Sequence, residues 1–175
     1  MTNLKSGKME NQISKVIYSI RDSIKTEDPE NIREIVSSTG FFNNEEVEIA
    51  VELADERLSK GIESGYHFLI LEIDGKTVGY SCFGPIPATK FSFDLYWIAV
   101  HKDYQNLGLG KIILTESENA ISKLGGNRIY VETSGREQYI STRKFYLACD
   151  YKEEAVLEDF YAPGDAKYLY LKVLV

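Results

Sequence analysis

Two glycines one residue apart, Gly108 and Gly110, sit in the segment Gln105-Asn106-Leu107-Gly108-Leu109-Gly110-Lys111. The segment follows the apolar run Leu95–Val100 and opens an amphipathic run from Leu109 to Leu124. A strand, a glycine turn and a helix start in series leave backbone N–H groups free at a helix N-terminus, which suits an anionic group such as a phosphate. A glycine has no Cβ, so a ligand can approach the backbone closely and a positive φ is permitted. The spacing fits neither the P-loop nor the dinucleotide fingerprint Gly-x-Gly-x-x-Gly.

The pattern Gln-x-x-Gly-x-Gly, with Val100 five residues before the Gln, resembles the acetyl-CoA signature of the GNAT N-acetyltransferase superfamily. The segment Thr142-Arg-Lys-Phe-Tyr-Leu-Ala-Cys-Asp-Tyr151 is similar to that family's Phe/Leu-Tyr-x-x-x-Gly-Phe stretch, and it places Tyr146 at the family's tyrosine. Three departures stand out: Asp150 replaces the Gly, Tyr151 replaces the Phe, and Tyr139 replaces an Asn common seven residues before the Tyr. Asp tolerates a left-handed backbone better than most residues, so the turn can survive.

The resemblance implies acetyl-CoA as co-substrate, coenzyme A as product and no metal. It implies that Ile98, Ala99 and Val100 run along the pantetheine arm and that Gln105, Asn106, Leu107, Gly108, Leu109, Gly110 and Lys111 hold the pyrophosphate. Thr133, Ser134, Thr142, Phe145 and Tyr146 are expected against the rest of the cofactor. It also implies that Tyr146 is the general acid. A thiol has a pKa of about 8.5 and a phenol about 10, so a phenol O–H can support a departing thiolate at neutral pH. Arg143 and Lys144 lie nearby, where a solvated helix face competes with a phosphate contact.

An acceptor amine with pKa about 10.4 is neutral in roughly one molecule in 2,500 at pH 7, a cost of about 4.6 kcal/mol. A base that removes the amine proton therefore matters. Asp94 and Glu132 are the candidates, each able to serve as base or as anchor for a cationic amine. An Asp with pKa about 3.9 needs either a raised pKa or a relaying water to act as base. Strand alternation puts Asp94, Tyr96, Ile98 and Val100 on one face and Leu95, Trp97 and Ala99 on the other. Tyr96 and Tyr161 are candidate substrate contacts. The stretch Phe160-Tyr-Ala-Pro-Gly-Asp165 reads as an aromatic loop ending in a turn, either packed or forming a wall of the acceptor pocket.

The elements that must position these residues follow from local signals. The expected first strand is Lys15–Ile20. Asp28-Pro29-Glu30 starts a helix that stops at Gly40. Asn44 caps a second helix with Val47, Val51, Leu53, Ala54 and Leu58 on its apolar side. Asp74-Gly75 turns a hairpin between strands His67–Ile73 and Lys76–Phe83. Phe91–Val100 is a strand. The helix after the glycine loop carries Ile113, Ser117, Ala120, Ile121 and Leu124 on one face and ends at Gly125. A strand Arg128–Thr133, a helix Tyr139–Cys149 and strands Tyr151–Leu157 and Lys167–Val175 complete the chain.

This order predicts an α+β fold with a mixed α/β character: a mixed, mostly antiparallel twisted sheet of about seven strands flanked by about four helices, with a right-handed crossover from Phe91 to Thr133. It is also the element order of the GNAT fold. Residues 1–12 are expected to be a flexible lead-in and 13–175 a single domain. The 175 residues, 43% of them hydrophobic and 27% charged, suit one globular core. A net charge of −7 argues against nucleic acid as partner. Two cysteines suggest neither a disulfide framework nor a zinc site, and a reducing cytoplasm is the simplest compartment. No apolar run is long enough to span a membrane, so none is expected as partner.

The expected activity is acetyl transfer from acetyl-CoA directly to a primary amine of a small molecule. A protein or peptide acceptor and a non-catalytic acetyl-CoA sensor are the alternatives. Monomer and homodimer both stay open.

Overall fold

The computed structural model describes residues 17–175. Lys15 and Val16 of the expected first strand, and the expected flexible segment 1–12, lie outside the described residues. The elements run β1 (Ser19–Arg21), α1 (Asp28–Thr39), α2 (Asn44–Lys60), β2 (His67–Ile73), β3 (Lys76–Pro85), β4 (Ser92–Val100), α3 (Leu109–Lys123), β5 (Arg128–Ser134), α4 (Ile140–Ala148), β6 (Lys152–Ala162) and β7 (Asp165–Val173). The seven strands form one sheet in the order β1-β2-β3-β4-β5-β7-β6. Only β4 and β5 run parallel, joined through α3, so the sheet is mixed and mostly antiparallel as expected. No helix among the described residues is long and apolar enough to cross a membrane.

Helices cover both faces of the sheet. On one face Ile32, Ile35 and Val36 of α1 and Val47, Ala50 and Ala54 of α2 pack on Phe68, Ile70, Tyr80, Cys82 and Ala99. On the other, Leu114 and Ile121 of α3 and Tyr146 of α4 pack on Leu69, Phe83, Phe93, Leu95, Ile129 and Val131. Leu109 and Ile113 join Leu71, Val78 and Val100 on that same side. Both cysteines are free and buried.

The helix starts differ from expectation by one residue each. Glu27 occupies the N-cap of α1 and makes no side-chain cap. Asp28 instead accepts the Lys25 N–H at 2.6 Å and forms a fork with the Arg21 guanidinium at 2.6 and 2.7 Å, tying α1 to β1. Asn43, not Asn44, caps α2, because only Asn43 stands three residues before Glu46 and can form the reciprocal capping box. Leu58 and Leu124, expected on apolar faces, sit at helix ends and are exposed.

One irregularity changes which way β4 faces. Cys82 pairs with Trp97 and Phe83 with Leu95, so Tyr96 is an extra residue. Such a bulge breaks strict alternation. Phe93, Leu95, Ile98 and Val100 face α3 and α4, whereas Trp97 and Ala99 face α1 and α2. The expected face shared by Asp94, Tyr96, Ile98 and Val100 is thus split: Asp94 lies out of phase with Ile98 and Val100.

The C-terminal hairpin also differs. The segment expected as a loop is strand nearly to its tip, with Pro163-Gly164 at the turn and Gly164 at φ 81°. Register jumps between Leu157 and Ala162, so β6 bulges through Glu158–Tyr161. Asp150 adopts φ 66°, the left-handed turn that Asp was expected to tolerate.

Close packing between the β3 end and the start of β2 gives a test. A Cβ on Gly84 would lie 2.4 Å from the Gly65 carbonyl oxygen and 3.2 Å from the Tyr96 ring. Gly84→Ala is expected to cost about 1–3 kcal/mol, seen as a lower urea midpoint with an unchanged m-value.

Candidate active site

The parallel pairing of β4 with β5 covers only Ser92–Asp94 against Arg128–Tyr130. Beyond it the strands separate, while β4 stays paired with β3 to Val100 and β5 stays paired with β7 to Ser134. The β5-facing backbone edge of β4 from Leu95 onward is therefore open. A cavity of about 520 Å³ lies on that open edge. Its floor is Ile98, Ala99 and Val100, one end is the glycine loop, and the far wall is α4.

Most of the residues expected at the cofactor meet there. Gln105, Asn106, Gly108, Leu109, Gly110 and Lys111 line the loop end, and Thr142, Phe145 and Tyr146 line the α4 wall. Three do not. Leu107 is half exposed and turned away, since the loop presents its backbone rather than this side chain. Ser134 donates to the Asp165 carboxylate at 2.6 Å and so serves the β5–β7 junction. Thr133 is buried beside Tyr168 on the paired side of β5, with no hydrogen-bond partner for its hydroxyl among the described residues.

The loop has the shape an anion site needs. Asn106 takes φ 63° and Gly108 takes φ 77°, ψ 1°. The first helical bond of α3 runs from the Ile112 N–H to the Gly108 carbonyl at 3.2 Å, leaving the N–H groups of Leu109, Gly110 and Lys111 without an intrahelical acceptor. A Cβ on Gly108 would meet nothing within 4 Å, so the space in front of it is open to a ligand. The Gln105 amide donates to the Val100 carbonyl at 3.1 Å, which braces the loop against β4.

Tyr146 is buried in the wall, with ring centroids 5.4 Å from Phe145, 5.4 Å from Tyr151 and 6.1 Å from Tyr170. Burial, with a smaller push from Cys149, holds its phenol well above the ordinary range, which favours the protonated form. Arg143 is engaged internally: it donates to the Ser134 carbonyl at 2.6 Å and stacks over Tyr168. Residues missed from the sequence include Thr39 at the end of α1 and Phe41 and Phe42 after it; they join Tyr139, which stands where the Asn was expected, in the wall. Phe41 and Phe42 both pack on Tyr139, and the Gln138 side chain donates to the Phe41 carbonyl at 2.9 Å. Two consecutive aromatics in a short polar connection were the available signal.

Residues 64–153 match the family model described as an acetyltransferase (GNAT) domain, which spans the loop, Tyr146 and both sides of the strand opening. The chain belongs to the GNAT acetyltransferase family. A crystal structure assigned to the GNAT family, from Desulfovibrio desulfuricans, is 41% identical, covers 91% of this chain and 100% of its own, and superposes with a TM-score of 0.89. The N-alpha-acetyltransferase of Sulfurisphaera tokodaii is 29% identical over 112 residues, 58% of this chain and 66% of that relative's length. An N-acetyltransferase of Thermoplasma acidophilum, crystallised with coenzyme A, shares the fold at 20% identity and TM-score 0.67, covering 90% of this chain and 99% of its own.

On this GNAT scaffold the two carboxylates stand outside the cavity that Tyr146 lines. Glu132 pairs with Lys167 at 2.5 Å, and the Lys167 ammonium also lies 4.4 Å from the centre of the Phe160 ring. Asp94 is half-buried. Burial pushes its carboxyl above the usual range; Glu132 adds to the push and Lys167 opposes it. Tyr96 is pushed up to about 12 by burial and by Asp94. Tyr161 is pushed up by burial and by Glu132. Lys167 is the group the sequence did not flag, and it separates two carboxylates that looked equivalent.

Gly108→Val would force a β-branched side chain into a left-handed backbone and fill the open space before the loop. The expected result is an acetyl-CoA Kd raised at least about tenfold (about 1.4 kcal/mol) by calorimetry, with a thermal midpoint a few degrees lower from the strained backbone. Unchanged affinity would remove the loop from the cofactor site.

Proposed function

We propose that the chain transfers acetyl from acetyl-CoA directly to the primary amine of a small molecule. The observation that carries this reading is the β4–β5 opening, which has the buried Tyr146 phenol on one side and the half-buried Asp94 carboxyl near its base. The N–H groups at the α3 start suit the pyrophosphate, and the open edge of β4 suits the pantetheine amides. Acetyl-CoA supplies the acetyl group, already activated as a thioester.

The residues of the chain have separate tasks. Asp94, with its raised pKa, accepts the amine proton directly or through a water, which frees the nitrogen lone pair. An N–H on the unpaired stretch of β4 donates to the carbonyl oxygen as negative charge builds there. The Tyr146 O–H donates to the sulfur as the carbon–sulfur bond breaks, so coenzyme A leaves as thiol or hydrogen-bonded thiolate. Asp94 takes the first proton of the ammonium and passes it to solvent; the tetrahedral nitrogen then gives up a second, which replaces the one Tyr146 has given the sulfur, so ammonium and thioester become amide, thiol and one released proton. Glu132, neutralised by Lys167, is the weaker candidate for base.

Two outcomes test the roles. Tyr146→Phe keeps the acetyl-CoA Kd and lowers kcat by about 10²–10⁴, read as coenzyme A thiol release. For Asp94, a raised pKa means that the active, deprotonated form is lost as pH falls through a value above the ordinary carboxylate range. The kcat/KM–pH profile should therefore show an acid limb above the ordinary carboxylate range. Asp94→Asn should remove that limb and Glu132→Gln should leave it.

A further inference from the structure

The surroundings of Asp94 narrow the acceptor, if the transferase reading above holds. Among the described residues no cation lies within ion-pair distance of Asp94. Three further acids near the opening are engaged. Glu132 is held by Lys167 at 2.5 Å. Asp165 is buried and takes the Ser134 hydroxyl at 2.6 Å, the Gly135 N–H at 3.1 Å and Arg136 at 3.3 Å. Glu46 accepts the Asn43 N–H at 2.8 Å in the capping box and faces Arg136 at 3.9 Å.

One aromatic pair stands beside this carboxyl, and a second stands beside the Glu132–Lys167 pair whose charges Asp94 feels. Tyr66 and Tyr96 meet edge to face at 5.5 Å, with Asp94 close enough to perturb Tyr96. Phe160 and Tyr161 meet edge to face at 5.0 Å on the bulged part of β6, over Glu132 and Lys167. Tyr96, Phe160 and Tyr161 leave 39%, 52% and 48% of their surface in water. Large rings left wet beside one free carboxyl offer flat apolar contact and cation–π attraction to a bound amine. The connection between α1 and α2 is fastened to residues 136–139 through Gln138 and the Phe41, Phe42 and Tyr139 rings, and Tyr139 and Glu46 stand near enough to Tyr161 to add to the rise that burial gives its pKa. A fixed segment beside that ring favours a small molecule over a chain.

We infer that the acceptor is a small primary amine with a single positive charge and a flat apolar body, its ammonium on Asp94 and its body between the Tyr66–Tyr96 and Phe160–Tyr161 pairs, with Lys167 acting as a positioning residue that denies Glu132 to a second cation. A polyamine or an aminoglycoside needs further carboxylates, and here those are occupied.

The test measures coenzyme A release by the purified chain with 2-phenylethylamine, hexylamine, putrescine, spermidine, kanamycin and a short peptide, with acetyl-CoA binding followed in the same preparation by calorimetry. The expected kcat/KM for 2-phenylethylamine exceeds that for spermidine and kanamycin at least about tenfold. Tyr96→Ala and Tyr161→Ala should each raise KM for 2-phenylethylamine several-fold without moving the acetyl-CoA Kd. Lys167→Gln, which frees Glu132, should raise kcat/KM for putrescine relative to 2-phenylethylamine, and Lys167→Arg should restore the wild-type ratio. Preference for a polycation or the peptide, or Tyr variants with unchanged KM, would overturn the inference while leaving the transferase reading intact. Absence of acetyl-CoA binding would instead overturn the cofactor reading on which both depend.

Discussion

A buried strand cannot leave its backbone polar groups unmet, and the structure turns on the place where β4 does so. β4 keeps its full ladder to β3 but loses β5 after three rungs. An unpaired buried N–H or C=O costs about 1–3 kcal/mol, so such an edge persists only if something else satisfies it. Here Gln105 reaches back to Val100, and the remaining edge faces a cavity in which an amide-rich ligand can take the place of the missing strand. The glycine loop, the α4 wall and the connection between α1 and α2 are all arranged around that vacancy in the ladder.

The bulge at Tyr96 follows from the same requirement. It lets Phe93 and Leu95 enter one core with Ile98 and Val100, while Asp94 and the Tyr96 ring stay towards solvent near the opening. Without the extra residue, Asp94 would share the phase of Ile98 and Val100 and point its carboxyl into the apolar layer beneath α3. The extra residue thus keeps the Asp94 carboxyl and the Tyr146 phenol on opposite sides of one strand.

Much of this was legible in the residues. Glycines or acids at Gly40, Asp74-Gly75, Gly125 and Asp150 mark turns through backbone conformations few other residues tolerate, and all of them take positive φ or stand at the expected ends. The glycine loop was legible because strand, turn and helix signals adjoin. What escaped reading is long-range or aperiodic. A bulge cannot be seen in an alternating pattern, since it is a property of the pairing with β3. The Lys167–Glu132 pair joins residues on different strands, and nothing in either local segment announces it. Asn44 was expected as the cap, whereas the spacing to Glu46 selects Asn43.

The outer rim of the sheet carries a different kind of information. β6 is an edge strand eleven residues long, and an edge of that length is a ready template for another chain. It carries Glu153, Glu154, Glu158 and Asp159, and it buckles before its end. Two copies meeting rim to rim would set carboxylates against carboxylates, and the buckle would interrupt any continuous ladder between them. The same irregularity that carries Phe160 and Tyr161 out of the ladder therefore also works as a stop against fibril-like growth along this edge.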